Sequence, residues 1–135
     1  MRLLILAFLI CCLAPLRLAA QQTAPNLPKV TKFDCPKYPD KARSAHISGT
    51  VRLEVTTDGH EVSNVKIVSG PPILAAPAEA NVRTWKFANH EPTTFTVTYV
   101  DAVGSSYKKD AVTKCDADLN LPTEVTVGTT IPFPN

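Results

Sequence analysis

The sequence predicts an α+β fold in which two helices lie on one face of an antiparallel sheet, in a βαββαβ-type order with extra C-terminal strands. Three observations predict it. Val51, Leu53 and Val55 alternate with Arg52, Glu54 and Thr56, and Phe95, Val97 and Tyr99 recur at the same spacing, which is the period of a strand with one buried face. Asp58-Gly59 follows the first of these runs as a two-residue hairpin signal. Between the runs lies a proline-punctuated apolar segment with helical spacing, closed by Trp85-Lys86-Phe87.

The chain opens on an export signal. Arg2 is a short positive n-region, Leu3 to Leu16 is apolar except for Pro15, and Ala19-Ala20 puts small residues before the polar Gln21-Gln22. About 14 apolar residues fall short of the roughly 20 that span a bilayer. Residues 1–20 therefore read as a cleaved signal peptide, with an uncleaved anchor as the alternative. Cys11 and Cys12 lie inside the apolar stretch without the small residue that precedes a lipidated cysteine. The expected location is the periplasm or the exterior.

Residues 21–34, with Pro25 and Pro28 among polar residues, read as an exposed leader that is neither strand nor helix. The domain is expected over 35–130. Pro39 to His46 suits about two helical turns, with Ala42 and Ala45 on one face and a break at Gly49. The strand at Val51–Thr56 turns at Asp58-Gly59 and returns over Glu61–Ser69, with Val65 and Ile67 on one face and Val62 and Val68 on the other. Gly70-Pro71-Pro72 stops it. A helix is expected from Pro77 to Lys86, with Ala78, Val82 and Trp85 at i, i+4 and i+7 and with Ile73 and Leu74 plugging the gap before it. A strand follows over Thr94–Asp101, then a polar turn over 104–110. Lys114 to Leu121 alternates with Cys115, Ala117, Leu119 and Leu121 in phase. Glu124 to Thr129 is a last short strand, and 131–135 is a Pro-rich tail.

Removing residues 1–20 takes Arg2 and Arg17 with it, and the 12 remaining Lys and Arg balance 12 Asp and Glu. A neutral chain has no basic field to draw it to nucleic acid or to an anionic membrane surface. Contact with a membrane is expected only through partners or a retained N-terminal segment. Two cysteines remain, Cys35 and Cys115, at the two ends of the expected fold. In an exported domain such a pair reads as a disulfide.

Cys35-Pro36-Lys37-Tyr38-Pro39, Ile47-Ser48-Gly49-Thr50-Val51, the turn at Asp58-Gly59, and Val65, Ile67, Ser69, Leu74, Val82, Trp85 and Phe87 together resemble the C-terminal domain of the TonB energy-transducer family. The first block is similar to the family's Gln-Pro-Gln-Tyr-Pro opening with both glutamines replaced. The second is similar to its Ile-x-Gly-x-Val strand start. Leu121 to Val125 resembles the Leu-Pro-x-x-Val of single-domain exported relatives that carry a further strand pair. The resemblance implies a periplasmic module that pairs with an extended segment of an outer-membrane receptor by strand addition. By that resemblance recognition falls to Lys37, Tyr38 and Pro39 and to an exposed edge strand running through Phe95, Val97, Tyr99 and Asp101. The apolar N-terminal stretch has no Ser or His of the kind that couples to a motor, and no long Pro-rich spacer follows it.

Chemistry-bearing patterns are absent from the sequence. His46, His60 and His90 have no paired-ligand spacing, no nucleophile motif surrounds a Ser, Cys or Asp, and no Gly-rich phosphate loop occurs. Arg52, Glu54 and Lys66 read as a wet strand face with cross-strand ion pairs. The expected function is a non-enzymatic, cofactor-free module that binds a protein or peptide, with no small-molecule substrate. The alternative is a free envelope module that uses the same fold for structure or self-association, pairing with a second copy of itself.

Overall fold

The computed structural model describes residues 26–104, 115 and 117–129. The expected signal peptide, the polar turn beyond Gly104 and the tail lie outside them. The elements run β1 (Val30–Lys32), α1 (Asp40–Ser44), β2 (Gly49–Thr57), β3 (Val62–Ser69), α2 (Pro72–Val82), β4 (Lys86–Phe87), β5 (Thr94–Val103), β6 (Ala117–Asn120) and β7 (Glu124–Thr129). Five strands form one sheet in the order β3-β2-β5-β7-β6, and β1 and β4 form a small second one. The α+β class holds. The main sheet is antiparallel except where β7 joins β5 in parallel.

The alternation of β2 decides which side of the sheet is wet. Val51, Leu53 and Val55 are fully buried, while Arg52 and Glu54 between them are exposed. Opposite them on β5, Phe95, Val97 and Tyr99 face the same core. The core is completed by Leu74, Ala75, Ala78 and Val82 of α2 and by Ala42 of α1. Glu54 and Lys66 are direct cross-strand partners. The expected ion pair between them is not made: the described residues form ion pairs only at Arg43–Asp40, Arg83–Glu79 and Lys86–Glu61. Two exposed side chains on a wet face gain too little from pairing to hold one geometry.

Several local expectations are corrected. The leader contributes β1, because Lys86–Phe87 presents an edge that Val30–Lys32 pairs with, and Ala88 N–H donates to the Lys29 carbonyl at 3.0 Å. α1 is one short turn that stops at Ser44, and His46, at φ 53°, makes the break expected of Gly49. Ala45 is exposed. The hairpin turns one residue later than expected. Asp58 N–H donates to the Glu61 carbonyl, while Asp58 Oδ1 accepts from the His60 and Glu61 N–H groups, so Gly59 and His60 are the central pair. Those two bonds hold the Asp58 carboxyl below its ordinary range. Gly59 has φ 108°, and a Cβ there would lie 2.7 Å from the His90 carbonyl oxygen.

α2 begins five residues before the expected Pro77. Pro72 takes the first helical position, where its missing N–H costs nothing, and the Leu74 and Ala75 N–H groups both reach the Pro71 carbonyl. Pro77 sits inside the helix and forgoes its bond to the preceding turn. The helix ends at Val82, before the expected Lys86, because Thr84 and Trp85 donate to carbonyls only three residues back and tighten the chain into a turn. Trp85 therefore reaches the core from a turn and not along a helical face. It is 1% exposed, packs edge-on against Phe87, and its Nε1 finds no acceptor among the described residues.

Cys35 and Cys115 are joined, with a Cα–Cα distance of 5.4 Å and a sequence separation of 80. The bond ties the chain ahead of β6 to the segment leading into α1.

Two stability outcomes are expected. Trp85→Ala lowers the unfolding free energy by roughly 3 to 5 kcal/mol in urea, whereas Trp85→Phe costs less than its lost area suggests, since it also removes an unsatisfied buried N–H worth about 1 to 3 kcal/mol. Non-reduced protein from an oxidising compartment weighs two hydrogens less than its reduced form by mass spectrometry. Replacing both cysteines by serine costs roughly 4 to 5 kcal/mol in the chain-entropy estimate for a loop of this length.

Candidate functional site

The segment Pro36–Pro39 crosses the end of the sheet where β2 starts and β5 finishes. Pro36 is buried there, Tyr38 is half-buried, and the Tyr38 hydroxyl donates to the Ile47 carbonyl, which pins the Tyr-Pro segment to the approach of β2. Burial, and secondarily the charge of Asp101, raise the Tyr38 phenol above its ordinary range, against a hydrogen bond from Ser48 that lowers it. Under this segment lies a small cleft. Pro36, Lys37 and Pro39 form its rim, Leu74, Pro77, Ala78 and Asn81 of α2 one wall, and Tyr99, Asp101 and Val127 the sheet wall.

Four of the residues singled out from the sequence thus meet here: Lys37, Pro39, Tyr99 and Asp101. Tyr38 lies alongside. Phe95 and Val97 do not join them. They face the core further along β5, where Phe95 packs edge-on against Phe87 at 6.1 Å. Asn81 was missed, and its role is structural: it accepts from the Tyr99 hydroxyl at 2.6 Å and donates to the Asp34 carbonyl at 2.8 Å, linking sheet, helix and the residue before Cys35. Val127 was missed too. Nothing local in the sequence signals that β7 comes to this cleft.

The expected exposed edge at Phe95–Asp101 is interior. β2 pairs with β5 along one side from Gly49↔Asp101 to Thr56↔Thr94, and β7 pairs with its other side from Thr98↔Glu124 to Val103↔Thr129. The extra strands cover it because Thr98 N–H finds the Thr123 carbonyl at 2.8 Å and the ladder continues from there. The β7 ladder does not extend to Thr94 and Thr96. The outer strands are β3 and β6. β3 is the longer, with eight residues against four. Thr57 N–H donates to the Thr93 carbonyl on β5, and Ser63 Oγ reaches the Thr56 carbonyl from β3. The even-numbered residues of β2 therefore turn their backbone toward β3, engaging Asn64 and Lys66, and by alternation Val65 and Ile67 turn theirs outward. Ile67 and Val68 are 42% and 56% exposed, which with Leu27 makes them the exposed large apolar side chains among the described residues.

No cluster of His, Cys, Asp and Glu that could hold a metal occurs among the described residues. None of their helices is long and apolar enough to cross a membrane.

Asp101 is the buried ionisable group of the cleft. At 5% exposure its carboxyl is pushed up to about 6 by loss of solvent. The Tyr99 phenol beside it rises well above its ordinary range, by burial first and then by the Asp101 charge. Because the folded state holds the Asp101 proton more tightly than the unfolded chain, its contribution favours folding fully below about pH 4 and is lost as pH rises through about 6. Asp101→Asn is expected to flatten that part of the stability profile. At pH 7.5 it raises stability by on the order of 1 kcal/mol, discounted for the solvent that reaches the cleft, as read from urea midpoints between pH 4 and 7.5.

The family model for the Gram-negative bacterial TonB protein C-terminal region matches residues 34–101. Its span runs from the residue before Cys35 to Asp101 and stops before β6 and β7. The solution structure of the Pseudomonas aeruginosa TonB C-terminal domain is similar in fold, with a TM-score of 0.50 at 17% sequence identity over 58% of this chain and 88% of that one. No curated protein matches the chain. The Tyr-Pro segment, the β2-β3 hairpin, α2 and β5 are the matched part, and by that match the chain belongs to the TonB C-terminal domain family.

Proposed function

We propose that the protein is an exported protein-binding module of outer-membrane transport, which takes up an extended partner segment by strand addition along the outer edge of β3. Family membership supports a TonB-like role tied to outer-membrane transport and a protein-interaction domain in place of an enzyme. The observation that carries the choice of edge is that β7 occupies the far side of β5, while β3 ends the sheet with outward backbone groups at Val65 and Ile67 and with exposed Ile67 and Val68. A strand laid there gains main-chain hydrogen bonds, and its alternate side chains meet Ile67 on the core side and Val68 on the wet side. Lys37, Tyr38 and Pro39 lie at the start of β2 and take part only if the partner continues past the end of β3 toward the cleft.

A second reading has the same edge as its basis. Two copies pairing β3 to β3 in antiparallel fashion about Ile67 bring Lys66 opposite Val68 and avoid a Lys66–Lys66 clash, which is the self-association alternative.

NMR titration of the mature domain with peptides from the periplasm-facing N-termini of outer-membrane receptors separates the readings. Strand addition at β3 shifts the Val65 and Ile67 amides and slows their hydrogen exchange. The double substitution Ile67→Lys, Val68→Lys, at exposed positions, leaves the fold within about 0.5 kcal/mol per site and weakens binding by roughly tenfold, about 1.4 kcal/mol. Shifts confined to β7 and Tyr38 would mean that the partner displaces β7 and would overturn the β3 assignment. Concentration-dependent β3 shifts without peptide, with a dimer in sedimentation, would favour self-association.

A further inference from the structure

We infer that the cleft beneath Pro36–Pro39 is a binding site for a single primary ammonium group, the tip of a partner's lysine side chain, with the Asp101 carboxylate as its counter-charge. The inference stands apart from the β3 edge and holds whichever partner that edge takes.

The first ground is the state of Asp101. Its side chain is on the core-facing side of β5, in phase with Phe95, Val97 and Tyr99, and 95% of the residue is removed from solvent. It has no ion pair and no side-chain hydrogen bond among the described residues. Its oxygens are not among the fully buried atoms that lack a partner, so they stay open to the cleft, where a cation entering would meet a carboxylate that no other group neutralises.

The second ground is what surrounds it. Pro36, Pro39 and Pro77 lack an N–H, and Leu74, Ala78 and Val127 contribute alkyl groups. The side-chain polar hydrogens of Tyr99, Asn81 and Tyr38 nearby are engaged elsewhere. The Tyr99 hydroxyl donates to Asn81 Oδ1, Asn81 Nδ2 donates to the Asp34 carbonyl, and the Tyr38 hydroxyl donates to the Ile47 carbonyl. Among the described residues, Lys37 on the rim is the only cationic side chain lining the cleft, and it is exposed and forms no ion pair. Lys41 and Arg43 of α1 are exposed, and Arg43 is held by Asp40.

The third ground is size. The cavity measures about 20 Å³, room for one group as large as a water molecule. An ammonium group fits that space. The apolar walls suit the methylene stem that carries it, so a lysine tip matches both the charge at the floor and the alkyl lining of the entry.

The test uses the mature, disulfide-bonded protein, with n-butylammonium chloride as a lysine-tip probe and n-butanol at equal concentration as its uncharged counterpart. The side-chain carboxyl carbon of Asp101 is followed by NMR. Butylammonium is expected to shift this signal saturably and to lower the Asp101 titration midpoint, with smaller shifts at Tyr99 and Lys37 that are lost in Asp101→Asn. A short peptide with one lysine reproduces it and its norleucine counterpart does not. Equal shifts from butanol would mean an apolar cavity only and would overturn the inference. So would the absence of any shift in both wild type and Lys37→Gln. A response that appears only in Lys37→Gln would mean that Lys37 itself fills the site, which also overturns a role for a partner lysine.

Discussion

The antiparallel ladder between β2 and β5 is the constraint on which the other placements depend. Its eight registered pairs, from Gly49↔Asp101 to Thr56↔Thr94, put two alternating strands in phase, so that Val51, Leu53 and Val55 share a face with Phe95, Val97, Tyr99 and Asp101. A slip of one residue in either strand would turn Arg52, Glu54 and Thr96 inward, and the burial of three fully covered apolar residues on β2 forbids it. The same register carries a polar residue into the core. Asp101 lies in the buried phase, at the end of β5 where the sheet meets the Tyr-Pro segment, and its burial follows from the register as directly as that of Tyr99.

Gly70 shows how closely the remaining elements are fitted to this ladder. Its φ of 125° suits glycine, and a Cβ there would lie 2.8 Å from Val51 Cγ2, so the chain leaving β3 passes directly over β2 before Pro71 and Pro72 open the helix. α2 is thereby laid across β2 and β3 with Leu74, Ala75, Ala78 and Val82 inward. Asn81 near its end reaches both Tyr99 and Asp34. The disulfide acts at the same end of the sheet. It holds the chain that leads to β6 against the residue before Pro36, so the strand pair that covers β5 and the segment that caps the cleft are tied to each other.

The legible part of the fold is the part encoded by local periodicity. β2, β5 and β7 could be read from alternation, and β7 has the bounds the sequence suggests, because a two-residue period over six or more positions is distinctive. The cysteine pair was legible because only two cysteines follow the expected export signal. The start of α2 was not. Three prolines within seven residues, Pro71, Pro72 and Pro77, each suit a helix opening, and the choice of Pro72 rests on Leu74 and Ala75 finding the Pro71 carbonyl and on the fit of Leu74 beneath it. The hairpin was displaced by one residue because the Asp58 side chain supplies two bonds that a backbone-only turn lacks. Of the cleft, Lys37, Pro39, Tyr99 and Asp101 could be named from the family opening and the strand phase. Asn81 and Val127 could not, since strand order and a contact between residues 81 and 99 are products of tertiary packing.

The parallel arrival of β7 at β5 has a consequence for how a TonB-like domain can work here. Residues 34–101 carry the family pattern and end on the strand whose free side β7 takes over, so the added residues change the availability of an edge while leaving the matched core intact. Covering an edge removes a row of unpaired N–H and C=O groups from solvent and protects against indiscriminate pairing. Of the two strands that end the sheet, β3 and β6, the longer β3 keeps Ile67 and Val68 at the surface with outward backbone at Val65 and Ile67. In the function proposed above, β7 closes the far side of β5, and the apolar residues of β3 mark the side on which a partner strand pairs. On the proposed reading, the cleft under the Tyr-Pro segment would add side-chain selectivity to the main-chain bonds that a partner makes at the edge.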